Sequence, residues 1–220
     1  MNIDIGRSVT YPFEDQEWFP KVGVLLILGF IPGLNVIVWG GYALSIARNV
    51  MRSEPLPLPE WADWSDIAVR GLLAIAATLI YYLPAILLSC CLWGAGLFLG
   101  GRSSMLIVVQ CCFGFLAFAY SLGTSLLLNV GHVRFVQSDQ FHSYLDFGRR
   151  FQDLRSEPGL FITLTIYQIL LSLIAVAVGS ILSITCIGPV VIGTLAFMAN
   201  GYILGSASAV ASRRFRQSGL

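Results

Sequence analysis

Ionised side chains are scarce in this 220-residue chain. Asp, Glu, Lys and Arg make up 11% of it, where ordinary soluble domains hold about 25%. Lysine occurs once, as Lys21, and histidine twice, as His132 and His142. The shortage is uneven: residues 22–47, 71–101, 103–133 and 158–212 hold no charge, so all 25 charges crowd into the other 77 residues. No remaining piece is large enough to bury a soluble core of its own. A formal net charge of +1 gives no electrostatic basis for nucleic-acid binding. There is no His-Glu-x-x-His, no phosphate-binding glycine loop ending in lysine, and no nucleophile–base constellation. No enzymatic activity is expected, therefore, and no cofactor. The apolar stretches also lack titratable groups, which argues against proton- or sodium-coupled pumping, since such pumps place ionisable residues in the membrane.

Residues 1–21 carry four acidic groups and no basic leader before a short apolar core. The first apolar segment is thus expected to stay in the mature protein. All five cysteines (Cys90, Cys91, Cys111, Cys112 and Cys186) fall within charge-free stretches, so no extracytoplasmic disulfide framework is indicated.

Long apolar runs dominate what is present. Eighteen or more uncharged apolar residues read as a membrane span, and the expected fold is a single all-α polytopic membrane domain over residues 1–220. Four full spans are placed at 71–100, 105–131, 160–183 and 189–211. The first two are joined by the turn Gly101-Arg102-Ser103-Ser104, and the last two by the Gly188-Pro189 break. Segment 22–47 is interrupted at Ile31-Pro32-Gly33-Leu34-Asn35 and is either a fifth, kinked span or a re-entrant pair of half-helices. A single crossing splits Arg and Lys three against ten across the membrane, and re-entry splits them one against twelve; the sharper asymmetry favours re-entry. Either way the 48–70 loop, the 132–158 loop and the C-terminus are expected in the cytoplasm. Residues 54–70 and 141–155 look interfacial. In the second, Phe141, Tyr144, Leu145, Phe151 and Leu154 share one helical face, with Asp146, Arg149, Arg150, Asp153 and Arg155 mostly on the other, as in an in-plane amphipathic helix. Trp18, Trp61, Trp64 and Phe151 are the expected interfacial anchors.

Several landmarks follow one another in a characteristic order. Tyr11-Pro12-Phe13 precedes the first apolar segment, and Gly41-Tyr42 closes it before Arg48. Leu58-Pro59-x-Trp61-x-x-Trp64-x-Asp66 leads to Arg70-Gly71, then Tyr82-Leu83-Pro84, and later the Phe147-Gly148-Arg149-Arg150-Phe151 helix. In this the chain resembles the prokaryotic membrane-protein family called domain of unknown function 4013. The resemblance spans nearly the whole sequence. It implies a multi-pass protein in a prokaryotic inner or internal membrane, and it assigns no residue a catalytic role.

The candidate sites each have a plain structural alternative. Cys90-Cys91 and Cys111-Cys112 lie at similar depth on neighbouring spans, where one thiol from each could hold a soft metal or form a redox pair; small core packing is the commoner use. His132, at the end of the 105–131 span, could ligate a haem or pigment, though a polar anchor is commoner; bound lipid or pigment stays open. Asn35, Gln110, Asn129, Gln168 and Asn200 are the amides in or near spans. Asn35, at the break, and Gln110 are singled out for a solute path, against interhelical hydrogen bonding. Small residues four apart (Gly41/Ser45, Gly96/Gly100, Ala175/Gly179, Gly201/Gly205) allow close helix approach, within the chain or towards another membrane protein. Three functions follow. The leading expectation is an accessory or scaffolding subunit docking laterally in a larger membrane assembly. The second is a channel or facilitator for a small solute, reached at the 31–42 break, and the third a lipid-interacting or membrane-remodelling protein. A continuous polar cavity running from Asn35 to either face would favour the second, and a dry, packed bundle the first.

Overall fold

The computed structural model describes residues 5–98, 104–185 and 187–218. Every regular element among them is helical: α1 (Ile5–Thr10), α2 (Trp18–Gly29), α3 (Leu34–Met51), α4 (Trp64–Phe98), α5 (Ser104–Ser138), α6 (Phe147–Ser156), α7 (Pro158–Ile181) and α8 (Gly188–Ser218). Of these α4, α5, α7 and α8 are long and apolar enough to cross a membrane, and they are the four expected spans. Charge-free boundaries mark hydrocarbon rather than helix ends. No helix breaker stands between Trp64 and Arg70 or between Val133 and Ser138, so α4 and α5 continue through their charged residues. Of the 54–70 segment, residues 64–70 therefore belong to α4. A single 3₁₀ turn at Trp61–Asp63 leads straight into the first turn of α4.

The broken first segment is a helical hairpin. Twelve residues of α2 reach only about 18 Å at 1.5 Å per residue, too short to cross. The chain then turns at Gly33, whose φ of +85° suits a residue without Cβ. Asn35 Oδ1 accepts from the backbone N–H of Gly33 at 3.1 Å and of Val36 at 2.8 Å, fixing the start of α3. Gly29 faces Trp39 and Val190, while at the other end Lys21 shares a cleft with Arg48, Arg52 and Arg70. The hairpin returns to the end it started from, and 22–47 is not one kinked crossing.

Helix α3 is the spine of the bundle. It runs parallel to α8: Trp39 covers Gly193, and a Cβ on Gly201 or Gly205 would lie 2.5 Å from the carbonyl oxygen of Ala43 or Ala47. Against α4 it is closer still. A Cβ on Gly41 would meet the Ile67 oxygen at 1.8 Å, and one on Gly71 the Ile37 oxygen at 1.9 Å. Backbones touch here because neither helix carries a side chain at the crossing. The Gly41/Ser45 and Gly201/Gly205 stripes are thus occupied inside the chain, and Gly96/Gly100 lies outside the residues whose packing is described. By contrast, α4 and α5 beyond Tyr82 lean away as a bare pair, exposing Leu87, Val108, Phe115 and Phe118.

The 141–155 segment departs from expectation. It is not one helix: a 3₁₀ turn at Phe141–Tyr144 is followed by a bend, and Asp146 then caps α6 by accepting from Arg149 N–H at 3.1 Å. The bend rotates α6, so Phe147 and Phe151 point outwards (55% and 63% exposed) while Arg150 and Asp153 are inside (1% and 2%). Arg134 of α5 draws Asp153 inwards through two bonds of 2.5 and 2.6 Å. Tyr144 is buried with it, its carbonyl accepting from the Tyr81 hydroxyl at 2.7 Å.

Candidate functional site

The glycine contacts that join α3 to α4 and α8 leave little side-chain bulk on the inner faces of those helices. Beside these tight crossings a cavity of about 570 Å³ opens, with Gly40, Ala43, Gly71, Ala74 and Gly201 in its wall, facing α5 and α7. Polar groups enter it from four helices: Thr78 of α4, Asn129 and His132 of α5, Gln168 and Ser172 of α7, and Asn200 of α8. No Asp, Glu, Lys or Arg lines it. A second hollow of about 370 Å³ lies between α5 and α7 and shares Asn129, Gln168 and Ser172 with the first. Its outer rim, Ile169, Leu173 and Val176, is exposed on the flank of the bundle.

The polar groups are unequally engaged. Asn129 donates to Thr165 Oγ at 2.9 Å, and Thr165 in turn donates to the Phe161 carbonyl. Thr78 donates to the Ala74 carbonyl of its own helix. His132, in the cavity wall, is held by its Nδ1 at 2.7 Å from the Tyr144 hydroxyl. Gln168 and Ser172 have no hydrogen-bond partner among the described residues, and Asn200 Oδ1 is buried without one. A site with this many unused donors and acceptors, no charge and largely apolar walls is suited to holding a small uncharged molecule.

A polar cleft of about 570 Å³ lies beside the α3–α4 crossing, lined by Lys21, Arg48, Arg52, Arg70, Asp66 and Asp139 among others. Asp139 joins three elements: it pairs with Arg48 of α3 and, at 3.4 Å, with Arg70 of α4. Arg70 also donates to the buried Ser45 hydroxyl at 3.0 Å. Burial alone would raise the Asp139 carboxyl, but the Arg48 hydrogen bond and the charges of both arginines outweigh it and hold it below the usual carboxylate value. Arg150 is the opposite case. It faces the Tyr81 and Phe147 rings at 4.9 and 4.7 Å, donates to the carbonyls of Asp146 and Leu127, and leaves Nη2 unpaired. With no carboxylate beside it, burial pushes its guanidinium down to about 10.

Of the residues singled out from sequence, Asn129, His132, Gln168 and Asn200 converge on the cavity. Asn35 is held in the α2–α3 turn, and Gln110 is exposed on the outer part of α5. Neither lines the cavity. Cys90, Cys91, Cys111 and Cys112 are free thiols exposed on α4 and α5, and no group of three metal-ligating side chains occurs among the described residues; Cys186 lies outside them. Trp61 is an internal strut, stacked on Tyr42 at 5.4 Å and donating to the Lys21 carbonyl at 2.9 Å. Trp18 packs on Phe13, and Trp64 and Phe151 are exposed. Ser172 and Thr78 were not distinguishable by sequence, because lone hydroxyls in apolar helices usually bond their own backbone.

The fold defines a membrane-embedded, polytopic all-α protein. Residues 24–187, about three quarters of the chain, match the family described as a protein of unknown function, DUF4013, and the chain belongs to that family. No curated protein and no solved structure matches it.

Proposed function

We propose that the bundle binds a small uncharged solute within the membrane and serves as a facilitator for it, with no chemistry of its own. The observation that carries this reading is the uncharged cavity ringed by Asn129, His132, Gln168, Ser172 and Asn200. It favours a solute-holding bundle over a scaffolding subunit, because two of the small-residue stripes that would mark docking faces are occupied internally. The positive-inside rule puts the cleft with Lys21, Arg48, Arg52 and Arg70 on the cytoplasmic side of a prokaryotic inner membrane. A second reading, lateral docking on another membrane protein, draws on the bare α4–α5 pair with Phe115 and Phe118 exposed.

Thiol accessibility tests the first reading. With the five native cysteines replaced by alanine, Ala74→Cys puts a thiol where the core meets the cavity wall, and Ala77→Cys puts one three residues on in the same core but away from the cavity. In native membrane vesicles N-ethylmaleimide is expected to modify the first at least tenfold faster than the second. Two equally inert thiols would mean a sealed, dry bundle and would return the subunit reading to first place.

A further inference from the structure

The cavity wall also bears on what kind of solute it takes and from where. Resting on the cavity reading above, we infer that the occupant is an uncharged amphiphile taken from the bilayer. It is admitted sideways between α5 and α7, and its hydroxyl, carbonyl or amide head is held by Gln168, Ser172 and Asn200.

Three observations converge on this. The first is charge: no ionisable acid or strong base lines the cavity, so an ionised head would lose its hydration with no counter-charge in return. In the adjoining cleft Arg70 and Asp139 are engaged with each other, and Asp139 also with Arg48. The second is the route. Ile67, Ser45 and Arg70 line the polar cleft, whereas Gly71 and Leu44 line the cavity. The partition between them is the Gly41–Gly71 crossing, where α3 and α4 touch backbone to backbone. A water-borne solute arriving through the cleft must part those helices. On the opposite flank the second hollow lies between α5 and α7, bridged at one point by the Asn129–Thr165 bond, and its rim of Ile169, Leu173 and Val176 is apolar and exposed. A molecule dissolved in the bilayer meets that rim first, then Ser172 and Gln168.

The third is hydrogen bonding. The half-buried Gln168 amide, the exposed Ser172 hydroxyl and the buried Asn200 Oδ1, each without a partner among the described residues, line the two hollows. A buried acceptor without a donor is costly, and a ligand hydroxyl or amide N–H satisfies it. The two hollows, about 570 and 370 Å³, are in the range of single-molecule sites. The walls between the polar groups (Leu128, Leu204, Phe197, Ile75) suit one hydrocarbon chain.

The test is photolabelling of the full chain in nanodiscs with a sixteen-carbon alcohol bearing a diazirine and an alkyne. Adducts are expected within 125–132 of α5 and 165–176 of α7. Oleyl alcohol should displace them at least tenfold more effectively than oleate at pH 8, and glycerol should not displace them. Gln168→Leu is expected to lower labelling at least fivefold, while Ile166→Phe, on the exposed flank outside both hollows, leaves it unchanged. The wild-type competition stands even if the Gln168 variant fails to fold. Adducts scattered along the bare faces of α4 and α5 overturn the inference, as does equal competition by oleate. Displacement by glycerol also overturns it and indicates a water-borne solute. If Ala74→Cys reacts but labelling is non-specific, the amphiphile inference fails and the cavity reading survives; if Ala74→Cys is inert, both fail.

Discussion

Replacing Gly41 by alanine adds one methyl group at the closest approach found at any described glycine. Its carbon would lie 1.8 Å from the Ile67 carbonyl oxygen and 2.8 Å from the carbonyl carbon. Ordinary contact begins near 3.4 Å, so α3 and α4 must separate by about 1.6 Å. No side chain can rotate out of the way, because the obstruction is backbone. Overpacking typically costs about 1–3 kcal/mol, and a rigid backbone-on-backbone contact belongs at the top of that range. About 3 kcal/mol is roughly a 150-fold change in the unfolding constant. The assay is unfolding in dodecylmaltoside micelles titrated with SDS, followed by far-ultraviolet circular dichroism. Gly40→Ala is the internal comparison: a Cβ there meets nothing within 4 Å, and helix propensity alone gives up to about 1 kcal/mol of stabilisation. Neighbouring substitutions of the same chemistry should therefore move stability in opposite directions. A Gly41→Ala protein within about 0.5 kcal/mol of wild type would refute the reasoning. Combining Gly41→Ala with Gly71→Ala should cost far less than the sum, since helices already apart no longer clash.

Other outcomes follow from the polar contacts. Asp153→Ala leaves Arg134 half-buried and unpaired, so a loss of about 3 kcal/mol is expected in the same titration. Arg150→Met removes a buried cation that has no carboxylate partner; stability should stay within about 1 kcal/mol of wild type. Trp61→Phe loses the 2.9 Å bond to the Lys21 carbonyl and should cost about 1 kcal/mol. The folded-state pKa of Asp139 is depressed, so its contribution is complete above the ordinary carboxylate value of about 4 and is lost as pH falls through the lower, folded value. Unfolding midpoints between pH 3 and 7 should show that acid-side decline in wild type and a shallower one in Asp139→Asn.

Much of this architecture is written in local pattern. Charge-free runs locate four spans because an ion left in hydrocarbon is costly wherever it falls. The Pro32-Gly33 break is equally local, since only a residue without Cβ takes the backbone angle found at Gly33. What pattern could not give is which surface meets which. Helical periodicity over 141–155 assumed one continuous helix; after the bend at Leu145–Asp146, Arg150 and Asp153 lie inside while Arg149 and Arg155 stay exposed, and the partner of Asp153, Arg134, lies on another helix. The cavity was half legible. Its amides stand out as polar residues in apolar runs, but Asn35 and Gln110 stand out equally, and only the packing of α3 between α4 and α8 separates them. Ser172 carried no signal at all.

The parallel seam between α3 and α8 has a consequence for how the protein is made. Ala43 must wait for Gly201, 158 residues later, and at about 5–20 residues per second that is roughly 8–32 s of synthesis. During this interval the α2–α3 hairpin, too short in its first arm to hold itself across the bilayer, leans on α4 alone. Asn200 has not been made, and the cavity lacks one wall. A chain truncated before Gly201 would leave the Ala43 face of α3 without the helix that covers it.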